Sequence, residues 1–170
     1  MTNRRFLLKS SATVVSAIKN STIIKNKIFT VMKKLLTLNF LPVNRDLALL
    51  LLRILVSFSL FYKHGIEKLT GFSNMQTHFP DPLHIGVTPG LMFALVTDGI
   101  CSLLIIFGIA TRLAALLIVT NLTVVFILLH SGSFTESHAE LVYVYLGSFL
   151  CILFAGAGKY SLDNRLFKTS

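Results

Sequence analysis

The chain has 170 residues, 54% of them hydrophobic and 14% charged, against about 25% charged in an ordinary soluble domain. That balance excludes a disordered chain and argues against a soluble enzyme; the length suits one domain. The net charge of +9 sits on residues 1–45, where Arg4, Arg5, Lys9, Lys19, Lys25, Lys27, Lys33, Lys34 and Arg45 meet no acid, while the remainder holds seven basic and seven acidic residues. Nucleic acid is not the expected partner, because the basic stretch precedes hydrophobic spans and lacks interleaved aromatics. Attraction to anionic lipid and the fixing of topology are the expected roles.

Residues 1–45 form a basic extension. Within it residues 1–31 are acid-free and rich in Ser, Thr, Lys and Asn, and three readings compete: a targeting presequence, a membrane-surface amphipathic helix, or a stretch not translated in nature. Met32 opens MKKLLTLNFLP, which looks like the start of a bacterial inner-membrane protein, and from there the chain has 139 residues and a net charge of +3 (ten basic, seven acidic). The late start is the preferred reading. Residues 46–165 form the membrane domain and 166–170 a tail.

Four apolar runs follow Pro42: Leu47–Tyr62, broken only by Arg53; Leu91–Ile109, with Asp98; and Leu113–Leu129 and Leu141–Ala157, with no charge. With flanking residues, the first reaches the ~20 residues that a bilayer core requires. The runs are continuous rather than alternating, so they read as helices and not barrel strands. Ala110, Thr111 and Arg112 alone separate the second and third, which predicts an antiparallel hairpin. The expected fold is all-α: an integral membrane four-helix bundle, antiparallel, with small residues such as Gly99, Gly108, Ala114 and Gly147 at close approaches. Lys and Arg crowd the N-terminus, the second loop at Arg112 and the C-terminus, whereas Lys63 and Lys68 alone mark the other side. This predicts both termini in the cytoplasm.

Polar residues gather toward the outer end of this bundle. Arg53 lies ten residues before Lys63, ~15 Å from that end, and Asp98 eight residues after Gly90, ~12 Å from it. Charges inside a bilayer cost at least ~2.5–3.5 kcal/mol each on insertion scales, so they face partners or water. Three readings follow: a structural Arg53–Asp98 pair, an outward-opening polar pocket of Arg53, His64, Lys68, Asp98, His130 and Glu140, or side chains that face lipid and snorkel. Cys101 and Cys151 each lie eleven residues from an outer helix end; a level redox pair is the sharper reading and two small apolar side chains the blander. His78, His84 and His138 could join His64 and His130 at a metal, but no metal-ligand spacing supports it and no metal is expected. There is no P-loop, Rossmann fingerprint, G-x-S-x-G or haem-attachment CxxCH.

The order LLRILVSFSLFYKHGIEKLTGF, LVTDGICSLLIIFGIATRLAALLIV, FILLH, HAELVYVYLGSFLCILFAGAGKYSLD resembles the DoxX family of small bacterial and archaeal membrane proteins, over about residues 47–163. The GIATRLAA turn and the closing Gly158–Lys159–Tyr160–Ser161–Leu162–Asp163 are the most specific pieces. One departure is Asp98, where the family usually has Glu; the shorter carboxylate could weaken pairing with Arg53. The resemblance implies a four-helix bundle in the bacterial inner membrane. Relatives serve as membrane subunits of thiosulfate:quinone oxidoreductase or of oxidative-stress complexes, and the broader superfamily includes assembly factors. Three functions compete. The first is a non-enzymatic assembly or interaction subunit, packed against a membrane-protein partner or a second copy. The second is a redox-linked subunit with an outer pocket for a quinone or sulfur compound. The third is a small-molecule or proton carrier, for which four spans leave little room. No intrinsic cofactor is expected, so any electron transfer needs quinone or a partner to supply the chemistry.

Overall fold

A computed structural model describes residues 23–37, 43–129, 131–133 and 138–166. Two units divide between Val43 and Asn44. In the first, residues 23–36 form helix α1, with every side chain exposed.

The second unit is all-helical among its described residues. Helix α2 runs Arg45–Thr70, α3 Phe72–Met75, α4 Val87–Phe107, α5 Thr111–Leu129, α6 Ala139–Ala155 and α7 Leu162–Leu166. Three of them, α2, α4 and α5, are long and apolar enough to cross a membrane. Helix α6 is equally apolar but has 17 residues, ~26 Å at 1.5 Å each. The four pack into one antiparallel group, α5 against α6 and α2 against both α4 and α6.

Local chemistry sets where each helix begins and ends. Asn44 caps α2 by accepting from the Leu47 N–H at 3.0 Å, and Asp46 lies in the first turn, where a negative charge meets the helix dipole. Helix α4 ends at Gly108, whose φ of +73° is left-handed. A side chain there would be strained, and its Cβ would also lie 2.5 Å from Arg53 Nη1 and 2.6 Å from Ser161 Cβ. The sequence reading closed the first span near Tyr62. Instead α2 continues through a widened π-type turn, Phe61–Gly65, to Thr70. Similar turns interrupt α4 at Val96–Cys101 and α5 at Val125–Leu129.

The core draws on all four helices: Leu60 from α2, Cys101 and Ile105 from α4, Ala114, Ala115, Ile118 and Leu122 from α5, and Tyr145, Phe149 and Ile152 from α6. The two adjacent alanines leave room for close helix contact. Outside this core, Leu55, Phe58, Ile100, Phe107, Leu113 and Phe154 are exposed. An apolar belt around a packed core is the surface of a protein solvated by lipid. Cys101 belongs to the core and Cys151 is exposed, and both are free, so the level redox pair does not form.

The closing segment latches one end of the bundle. Asp46 Oδ1 accepts from the Lys159 N–H at 2.9 Å, Arg53 Nη2 donates to the Tyr160 carbonyl at 2.7 Å, and the Asp163 N–H donates to the Gly108 carbonyl at 2.8 Å. The Asp163 carboxylate accepts from the Ala110 and Thr111 N–H groups at 2.7 and 2.9 Å, capping α5 from 52 residues away in sequence. Burial pushes the Asp163 carboxyl up, but hydrogen bonds from Thr111 and Ala110 and the nearby Arg53 charge outweigh it, holding the group below the ordinary carboxylate range.

Two predictions follow from these contacts. At Gly65 an added Cβ would meet the Asp98 carbonyl at 2.8 Å, whereas Gly147 in α6 has open space. Gly65→Ala and Gly108→Ala should therefore lower the melting temperature in detergent, while Gly147→Ala should raise or preserve it, since Ala favours helix over Gly by ~1 kcal/mol. Asp163 has a folded-state pKa below its unfolded value, so its stabilisation is present above the unfolded pKa, about 3.9, and disappears as pH falls through the folded one. The melting-temperature gap between parent and Asp163→Asn should be constant near neutrality and close as the medium is acidified below about pH 4.

Candidate functional site

The end of the bundle opposite the latch carries a buried ion pair. Lys68 Nζ lies 2.8 Å from Asp98 Oδ2, with the two side chains 12% and 6% exposed. Helix α2 brings Lys68 there because Gly65, one turn earlier, lets its backbone press against Asp98 and Gly99 of α4. Around the other carboxylate oxygen the polar groups form a closed set. The Thr97 hydroxyl reaches the Ala94 carbonyl at 3.0 Å and Asp98 Oδ1 at 3.3 Å. Asn121 Nδ2 donates to Thr97 Oγ1 at 2.9 Å and to Asp98 Oδ1 at 3.3 Å. A buried charge pair holds only when its remaining lone pairs are satisfied in this way.

Two cavities flank the pair and share Lys68, Asp98, Asn121 and Val125 as a common wall. The larger, about 750 Å³, lies among α2, α5 and α6, with Lys63, His64, Glu67, His138 and Tyr145 as its further polar lining and Leu60, Leu122, Leu141 and Val142 as its apolar lining. The smaller, about 230 Å³, lies under the loop before α4 and is lined by Phe79, Pro80, Pro82, Leu83, Ile85, Phe93 and Leu129. Asp81 holds that loop in shape, accepting from the Ile85 and Gly86 N–H groups at 3.1 and 2.9 Å. Tyr145 meets His64 edge-to-face, with ring centroids 6.2 Å apart, and its hydroxyl lies 2.7 Å from Ser59 Oγ. Each widened turn contributes to the walls: Lys63 and His64 from the first, Asp98 from the second and Val125 from the third. Such turns re-aim side chains by inserting a residue into the helix, and they recur at functional sites.

The structure brings His64, Lys68 and Asp98 together and separates Arg53 from them. Arg53 is 1% exposed at the latch end, beside Gly108, Tyr160 and Ser161. The expected Arg53–Asp98 pair is therefore wrong. Counted to Lys63, Arg53 lies ~15 Å from the helix end, but α2 runs on to Thr70, which places Arg53 ~26 Å from that end at 1.5 Å per residue. Glu140 is exposed in the first turn of α6 and lines neither cavity. His130 lies outside the described residues. Sequence reasoning missed Thr97, Asn121 and Tyr145. Asn121 carries a legible signal, since an amide in an otherwise apolar span needs a buried partner.

Residues 48–131 match the family model described as DoxX; the match covers Gly65, Lys68, Asp98, Gly108 and Asn121. No curated protein matches the chain, and no solved structure does.

Removing one member of a buried ion pair costs on the order of 3–5 kcal/mol, because the other charge is left without compensation. Lys68→Ala and Asp98→Ala should each lower folded yield and melting temperature, and the double variant should recover much of the loss. Arg53→Ala combined with Asp98→Ala should instead show no such recovery, because the two charges lie at different levels and are not paired. Recovery in the Arg53 combination, or none in the Lys68 one, would contradict the geometry.

Proposed function

Since the chain belongs to the DoxX family through residues 48–131, we propose that it is a four-span protein of the bacterial inner membrane, with both termini cytoplasmic, that binds a small amphiphile in the cavities flanking Lys68 and Asp98. The fourth span is α6, which exposes Leu141, Tyr143, Val144 and Phe154 much as the longer helices expose their apolar faces. Orientation rests on the concentration of Lys and Arg at the latch end and before it. The ligand reading rests on one observation: the buried ion pair is the shared wall of a large, partly polar chamber and a small, largely apolar one.

A ligand with a polar head and an apolar tail fits that division. The larger chamber presents donors from Lys68, His64, Asn121 and Tyr145 and the acceptors of Asp98 and Glu67. Quinone meets this donor set, because its ring carbonyls accept hydrogen bonds and its tail is apolar; when bound it would supply two-electron redox chemistry. Lys68, Asn121 and Tyr145 would orient the head, and the walls of Leu60, Leu122 and Val142 would exclude water. With no redox centre of its own, the chain would serve as a subunit whose protein partner delivers or removes the electrons. The cavities favour this over a purely interacting assembly subunit, which gains nothing from an ion pair held between two chambers.

Two measurements test the proposal. A reporter fused after Ser170 should show a cytoplasmic C-terminus; an external one would refute the four-span arrangement. Mass spectrometry of the chain purified in mild detergent should find a stoichiometric quinone or similar amphiphile. Tyr145→Phe and Asn121→Ala should lose ~10-fold or more of that ligand, as expected for one or two lost hydrogen bonds of about 1.4 kcal/mol or more in total. A ligand-free parent, or variants that retain the ligand in full, would favour the assembly reading.

A further inference from the structure

Buried polar side chains continue past the ion pair toward the latch. On α4, Ser102 follows Asp98 by four residues; on α2, Ser57 follows Arg53 by four, so each pair shares a helix face. Arg53 is 1% exposed, Ser57 and Ser102 are 0% and Asp98 is 4%. The hydroxyls of Ser57 and Ser102 and the Nε and Nη1 atoms of Arg53 have no hydrogen-bond partner among the described residues. Other helical hydroxyls behave differently: those of Thr70, Thr120, Thr123 and Ser148 each donate to the carbonyl four residues back.

These four residues form a ladder. Gly65 against Asp98 and Gly99, and Arg53 against Gly108, fix the register of α2 on α4. Interpolation between those contacts sets Ser57 level with about Ile105 and Ser102 level with about Leu60. At ~1.5 Å per residue, successive rungs Arg53, Ser57, Ser102 and Asp98 then stand about 4–6 Å apart along the bundle. One water donating to one group and accepting from the next bridges that distance, at ~2.8 Å on each side. Buried polar groups without protein partners are commonly met by internal water, and lipid surroundings offer no other source.

We propose that a file of internal water runs along Asp98, Ser102, Ser57 and Arg53, giving the Asp98 carboxylate a proton route to the latch end of the bundle. A proton would enter at the latch surface beside Asp163, pass along the waters and serine hydroxyls, and arrive at Asp98; Arg53, a donor only, orients the end water and carries no proton itself. The use of that proton by a bound head group rests on the ligand reading, but the existence of the file does not.

The test uses the full chain and no ligand, so its outcome is separate from that of the ligand reading. Radiolytic hydroxyl-radical labelling in detergent should modify Cys101 and Ile105, which adjoin the ladder, line neither cavity and are 3% and 0% exposed. It should spare Phe149 and Ile152, which are equally buried on α6. Replacing both serines, Ser57→Ala with Ser102→Ala, should reduce the first set several-fold. Each single replacement should also lower the melting temperature by ~2–4 °C, because it removes a water-bonded hydroxyl; a rise would mean that the hydroxyl was dry. In vesicles under an imposed potassium diffusion potential, Lys68→Ala should open a proton leak that falls at least ~10-fold when both serines are also alanine. Labelling no greater than at Phe149 would overturn the water file. No leak, or one indifferent to the serines, would overturn the proton route.

Discussion

The contact of α2 with α4 at Gly65 governs the rest of the bundle. Without a side chain at that position, the α2 backbone reaches the Asp98 carbonyl and the Gly99 Cα. The approach sets the height at which Lys68 meets Asp98, and so where the wall between the two cavities stands. It also sets the register that carries Arg53 to Gly108 at the other end. A charge pair inside an apolar bundle is unfavourable unless its geometry and its hydrogen bonds are both good. Here Gly65 supplies the geometry, and Thr97 and Asn121 complete the hydrogen bonds.

The two ends of the bundle then solve different problems. At the latch end the closing segment ties α2 to the α4–α5 turn through Asp46, Arg53 and Asp163, largely by side-chain bonds to backbone groups. Those bonds satisfy helix termini that would otherwise be left open, and they hold distant parts of the chain in one arrangement. At the cavity end the polar groups bond mainly to one another, and they border space rather than backbone. The first arrangement is that of a clamp; the second leaves room beside the charge pair.

The apolar runs, the antiparallel hairpin at Ala110–Arg112 and the presence of Lys68 and Asp98 at one end of the bundle were legible in the sequence, because continuous hydrophobicity and isolated charges are local signals. The partner of Asp98 was not legible. Pairing by depth assumed regular helices that end where charged residues begin, and Lys63 marked no such end. A widened turn carries α2 through Lys63 and His64, and six further helical residues follow His64 before Gly71. Widened turns leave no periodic trace in so uniformly apolar a run. Arg53 was recognised as a buried cation, but its neighbours come from the closing segment more than a hundred residues away, a contact that no spacing along α2 reports.

The short carboxylate at position 98 follows from the same geometry. With the helices separated by an ordinary side chain, Asp would fall short of a partner on α2 and a longer acid would be needed. Because Gly65 removes that separation, the long Lys68 side chain can reach back to a short Asp98 at 2.8 Å. The carboxylate then stays near its own helix, where Thr97 and Asn121 can reach its second oxygen. One further methylene would carry the carboxylate outward, away from those two donors and into the space that the cavities occupy. In this chain close helix contact, a short acid and a long base form one solution: the charge is paired at the wall, and the chambers on either side of it are left clear.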